Sequence, residues 1–314
     1  MDHDPSGAQP AAGNDSPSTE ISDTDILTSH NLSPQVQSIV QVLVDRKQDL
    51  SLTLENPRAR FHHYHEFSLK PTDFNALRGS EQLYDLLLEY TWAYNYFPSL
   101  ECFTVLLYFH GYIYFEAAVH LAITSSIRLQ NALNVGASQS AIPAHFIDAK
   151  ISNVGEQGER YFEKDGVQTK SVVNAHGGVS CWLPSAGVGF PLCWIQVGWY
   201  HPADIDKFKA AMIEQRGQPR ITIFVTLAYN GPVPSTKDAI SLDIVQAWVR
   251  RGVPVVRHDV RGVDVRSQDP SATIGLCLSD FEEDLPRQPV DLRYGDIVDA
   301  VEENIEFHQD LFRP

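Results

Sequence analysis

The sequence predicts a mixed α/β fold, and three observations carry that expectation. A strand, a helix and a strand follow one another without interruption between Pro191 and Pro232, strand-length apolar runs recur after Ala239, and the early part of the chain repeats its apolar residues at helical spacing. In the first of these the apolar run Leu192 to Val197 ends at Gly198, Pro202 and Asp204 mark a helix start, and Ala203 to Gln215 keeps helical spacing. Gly217 and Pro219 stop the helix, and Ile221 to Tyr229 is β-branched and aromatic, so the stretch reads as a β-α-β unit.

With 314 residues, 43% hydrophobic and 10% aromatic, the chain can build a sizeable core without metals or disulfides. Cys102, Cys181, Cys193 and Cys277 have neither CxxC spacing nor histidines at zinc-finger distances. They are expected to be reduced and mostly buried, in an intracellular compartment, cytoplasmic or nuclear. The net charge of −16 opposes a broad electrostatic footprint on nucleic acid. That charge is concentrated at the ends: six acids and no base lie in residues 1–30, and eleven acids face three arginines in residues 280–314. Between residues 143 and 235 eight acids balance eight bases, so charge does not exclude a nucleic-acid substrate there.

Taken in order, residues 1–30 have the Ser, Pro, Gly, Ala and Asp content of a disordered acidic tail, without the basic and apolar blocks of a secretory signal. Residues 31–130 are expected to be a helical region. Pro34 can open a helix whose Val36, Ile39, Val40, Leu43 and Val44 share a face, and after Ser80 the residues Leu83, Leu86, Leu87 and Tyr90 form a second such face. Phe103 to Ile123 has the length of a bilayer span, but Glu116, His110 and His120 lie inside it and no Lys or Arg cluster flanks it. A buried core helix is expected there, with no membrane association. Residues 131–286 are expected to be the α/β domain, with short strands at His145 to Ile151, Gln168 to Asn174 and Val179 to Leu183. Beyond the β-α-β unit, Ala239 to Val249, Val253 to Val260 and Thr273 to Leu278 complete it. Residues 287–314 are expected to hold an acidic amphipathic helix, Tyr294 to Leu311, with Ile297, Val298, Val301, Ile305 and Leu311 inward.

An acid on one strand, a second ligand at the end of the next, then a helix and another strand is the order used by two-carboxylate metal nucleases. Oxygen ligands hold Mg²⁺ or Mn²⁺, which activates water and stabilises charge on the scissile phosphate, and a lysine can assist. Here the acid would be Asp165 in Glu163 to Gly166, and the strand-end ligand Gln196 in Trp194 to Trp199. Lys207 and Lys209 on the following helix could reach back as the catalytic lysine, their ordinary role being a solvated helix face. A competing match is Asp148-Ala149-Lys150, where a strand would place Asp148 and Lys150 on one face, with Glu116 as an added metal ligand from the preceding helix.

The pieces PLCWIQVGW, ADIDKFKAAMI and RITIFVTL resemble a family of fungal restriction-endonuclease-like domains of the PD-(D/E)xK nuclease superfamily, and SLDIVQAW and IGLCLSDFEEDLP resemble that family's tail. The resemblance spans roughly residues 130 to 286 and implies a mixed sheet flanked by helices, acting on nucleic-acid phosphodiesters with Mg²⁺ or Mn²⁺. This chain departs from the family's pattern twice. Lys164-Asp165-Gly166 stands where the family has Pro-Asp-Gly, and Gln196 where it has Glu. A glutamine carbonyl brings an oxygen ligand without charge, so two outcomes stay open: an active nuclease, or a scaffold whose catalysis has lapsed. The other function class is a non-catalytic protein that binds a protein partner through the aromatic residues Trp194, Trp199 and Tyr200 and its acidic termini.

His62, His63, His65 and Glu66 invite a zinc or copper reading but lack HExxH spacing, and an ordinary loop or strand is expected. Arg250, Arg251, Arg257, Arg261 and Arg266 could contact phosphates or pair with the acidic segment Asp280 to Asp284.

Overall fold

In the computed structural model the β-α-β unit lies inside a six-stranded sheet, and all the strands of a second, five-stranded sheet come before that unit in the chain. The structure describes residues 32–49, 64–107, 112–138, 150–152, 158–183, 188–198, 204–214, 219–228, 235–251, 253–281, 283 and 285–312. The elements are helix α1 (Pro34–Asp49), strand β1 (Tyr64–Ser68), α2 (Pro71–Gly79), α3 (Glu81–Tyr90), β2 (Thr91–Phe97), β3 (Cys102–Leu107) and α4 (Tyr112–Ser138). They continue with β4 (Lys150–Ser152), β5 (Gly158–Lys164), β6 (Val167–Val173), β7 (Gly177–Leu183), β8 (Val188–Gly198), α5 (Ile205–Glu214) and β9 (Ile221–Ala228). The last are β10 (Ala239–Arg250), β11 (Val253–Asp264), α6 (Leu278–Phe281) and α7 (Tyr294–Phe312).

The five-stranded sheet has the order β1-β3-β2-β6-β5 and the six-stranded sheet β11-β10-β9-β8-β7-β4. Neighbours run antiparallel except β8 and β9, which are parallel because α5 carries the chain back between them. Helices α1, α2 and α3 bury Val36, Ile39, Val40, Leu43, Phe74, Leu83 and Leu87 against one face of the five-stranded sheet. Helices α4 and α7 cover one face of the six-stranded sheet, where Ile195, Val197, Ile223, Val225 and Leu242 meet Leu121, Ala122, Ile297 and Val301. At Gly177 a Cβ would lie 3.0 Å from the Ala122 Cβ, so only glycine admits α4 this close to β7. Helix α5 lies on the opposite face, and its Phe208, Ala211 and Met212 join Trp194 and Phe224 to Phe97, Cys102 and Val173 of the other sheet. It is therefore the element through which the two sheets share a core.

Several expectations are corrected. Residues 31–130 are not wholly helical, since they supply β1, β2 and β3, and the five-stranded sheet draws strands from both sides of residue 131. Phe103 to Ile123 is not one helix: its first part is β3 and its later part belongs to α4. All six β3 residues are buried between β1 and β2, so the alternation that would mark a strand is missing from the sequence. Thr273 to Leu278 forms only isolated bridges, Thr273 with Arg293 and Cys277 with Pro289, because Gly275 at φ +86 breaks the extended run. Among the described residues no helix is long and apolar enough to cross a membrane. Cys102 and Cys193 are buried, Cys277 is half-buried, and all three are free thiols.

Candidate functional site

Asp165 occupies the turn of the β5–β6 hairpin. Lys164 pairs with Val167, leaving Asp165 and Gly166 as a two-residue turn with φ values of +52 and +76. Two positive φ values match the right-handed twist of the strands, and Asp-Gly is the sequence that best tolerates them. The side chain is exposed, on the five-stranded sheet.

Gln196 sits in the other sheet, on interior strand β8, with 6% of its surface exposed. The His176 N–H donates to its Oε1 at 3.4 Å, and the Val197 N–H donates to His176 Nδ1 at 3.1 Å. This reciprocal clamp extends the β7–β8 ladder by side chains just before Gly177, which pairs with Ile195. The structure thus places Asp165 and Gln196 in separate sheets, one exposed at a turn and one buried in a strand, and does not bring them together. The physical reason is local: Asp165 is fixed by turn geometry, whereas Gln196 faces the core that α5 covers, two residues along from Trp194.

Lys207 lies in the first turns of α5. Asp204 caps this helix, its Oδ1 accepting from the Lys207 N–H at 3.3 Å. The Lys207 Nζ reaches Asp204 Oδ2 at 2.5 Å, Glu66 Oε2 on β1 at 2.5 Å, and the Tyr64 hydroxyl at 3.4 Å. Burial leaves Lys207 8% exposed. That burial disfavours the ammonium, but the bonds to Asp204 and Glu66 outweigh it and the pKa is raised, so Lys207 is held charged. The Cys102 thiol donates to Glu66 Oε1 at 3.5 Å, and burial pushes its pKa up to about 12. Two acids and a lysine do converge, but they are Glu66, Asp204 and Lys207, and the ammonium fills the space between the carboxylates.

At the other end of α5, the Glu214 carboxylate accepts from the Ser99 N–H at 2.8 Å and from the Ser171 hydroxyl at 2.6 Å. Burial raises its pKa, and these bonds draw it only partly back. On the far strands Asp243 Oδ1 accepts from the Gly262 N–H at 2.9 Å and lies 2.8 Å from His258 Nε2. Register places Asp243 in one row with Phe224 and Gln196 across β10, β9 and β8.

No family model, curated protein or solved structure matches this chain.

Lys209 pairs with Asp206 at 3.1 Å along the exposed side of α5. Asp148 lies outside the described residues; Lys150 stands on edge strand β4 opposite Ser180, and Glu116 on α4, with both side chains outside the described set. Among the described residues no three His, Cys, Asp or Glu side chains come together to hold a metal ion. Trp194 does not form a docking surface, being 5% exposed and packed edge-to-face against Phe208, while Trp199 and Tyr200 lie outside the described residues. His62 and His63 are also outside them, and His65 and Glu66 stand on β1. Of the C-terminal arginines, Arg266 pairs with Glu302 of α7 at 2.6 Å, and Arg257 with Asp259 two residues along its own strand. Glu283 is reached instead by Arg220, at 3.9 Å.

Sequence reasoning missed Glu66 and Asp204 as partners of Lys207. Glu66 is 141 residues from Lys207, so no spacing could reveal it; Asp204 three residues before Lys207 was the legible half.

Proposed function

We propose that this protein is a non-catalytic binding protein on a mixed α/β scaffold. What supports this reading above all is the employment of Lys207, which meets two carboxylates. Its ammonium is spent joining α5 to β1, and so tying the two sheets. Asp165 and Gln196 are likewise engaged, one in a hairpin turn and one in a strand clamp. A metal nuclease would need the two in one coordination sphere with a cation between them.

The test is cleavage of supercoiled plasmid and of a structured RNA by the full chain in Mn²⁺, with Asp165→Ala and Glu66→Gln alongside. The expected result is no Mn²⁺-dependent cleavage above a protein-free control. Cleavage by the wild type that disappears in Asp165→Ala would restore the nuclease reading with its original site. Loss in Glu66→Gln instead would move that site to the lysine and its two carboxylates.

A further inference from the structure

We propose that the β10–β11 hairpin is the docking surface, and that its partner is an acidic segment of another protein carrying interspersed apolar side chains. This rests on the non-catalytic reading above and names the surface and the partner class.

Register carries the first step. Gln246 stands opposite Arg257, Trp248 opposite Val255, and Arg250 opposite Val253, so Trp248, Arg250, Val253, Val255 and Arg257 project from one face of the hairpin. The Arg257 guanidinium lies 5.7 Å from the Trp248 ring centroid and is anchored by Asp259 and Gln246. Arg250 and Arg251 are exposed at the hairpin end and form no ion pair with any described residue, and Val253 is 61% exposed beside them. Tryptophan and arginine around a small apolar patch are the residue types that dominate protein–protein binding energy.

Charge carries the second step. From Trp248 to Arg261 four arginines face one acid, on a chain whose net charge is −16. An anionic partner is drawn to this hairpin, a basic stretch on a chain of net charge −16. A long nucleic-acid strand, carrying many charges, meets the repulsion of that net acidic chain and has nothing to bury against the exposed Val253. An acidic segment with apolar side chains meets both the arginines and the valine face. The open edge of β11 is not the docking element: Pro254 lacks an N–H, and the ladder to β10 shifts register twice near Ile244, so a partner strand finds no continuous edge.

The experiment is fluorescence anisotropy with the full chain and three labelled probes: a peptide alternating Asp and Leu, the same peptide with Asn for Asp, and oligothymidylate of matching length. The Asp peptide is expected to bind, with affinity falling about tenfold in Arg250→Glu/Arg251→Glu and about tenfold in the Asn peptide. Both arginines are exposed, so the double variant should melt with the wild type, checked by circular dichroism. Absence of binding, affinity unchanged in the double variant, or tighter binding of oligothymidylate would each overturn the proposal. Mn²⁺-dependent cleavage lost in Asp165→Ala would sink the non-catalytic reading alone, and arginine-independent peptide binding would sink this surface alone, so the two failures are distinguishable.

Discussion

The two ends of α5 each bury one charged side chain, and they do so in opposite ways. At the N-terminal end Lys207 is enclosed by Asp204 and Glu66, so its charge is matched and its pKa is raised. At the C-terminal end the hydrogen bonds to Glu214 come from neutral donors, the Ser99 N–H and the Ser171 hydroxyl, with the Lys164 charge acting only through space, and burial raises its pKa as well. A raised pKa favours charge on a lysine and disfavours it on a glutamate, so the same direction of shift means a secure joint at one end and a pH-sensitive one at the other. Both ends reach across to the five-stranded sheet, so the attachment of the sheets through α5 should respond differently to mutation and to pH at each end.

The largest effect is expected one residue beyond Lys207, on the apolar face of α5. Phe208→Ala removes the ring that meets Trp194 and Phe224 edge-to-face, and should cost about 3–4 kcal/mol in urea denaturation. Lys207→Met leaves Glu66 and Asp204 facing each other. Because both carboxylates are partly exposed, water takes up much of the repulsion, and the loss should be about 1–2 kcal/mol by the same assay.

Glu214→Gln should act through pH. Since the folded-state pKa lies above the unfolded value of 4.5, the folded state holds the proton more tightly in that window. The contribution of Glu214 to wild-type stability should therefore be fully present below 4.5 and decline as pH rises through the raised folded value. Glutamine has no proton to lose, so the variant's advantage over wild type should grow with pH in urea melts taken from acid to neutral. A constant difference would show that Glu214 does not titrate differently in the two states.

The smallest effect separates a turn from a catalytic acid. Asp165→Ala should cost about 1 kcal/mol because alanine resists positive φ, whereas Asp165→Asn and Asp165→Gly should stay within about 0.5 kcal/mol of wild type in thermal melts.

Legibility in the sequence followed the same division between local and distant contacts. The β-α-β unit could be read because its strands are continuous apolar runs and its helix is bounded by Asp204 and Pro219. Of the five-stranded sheet β6 was legible, as Gln168 to Asn174, whereas β3 was not, because it is buried throughout and its apolar run has no period to betray it. At the candidate site the Asp-Gly pair at Asp165 was in plain view as a hairpin signal, and that local signal decides its role over the motif reading. Glu66 was hidden for the opposite reason, since its tie to Lys207 exists only once two sheets are assembled.

The central claim is that Lys207 is a joint between the sheets and not a group awaiting a substrate. A double-mutant cycle of Lys207→Met and Glu66→Gln, followed by urea denaturation, tests it most directly. The predicted result is a coupling of about 1 kcal/mol, the double variant being more stable than the sum of the single losses allows. Strict additivity, with Lys207→Met costing no more than an exposed substitution, would contradict it.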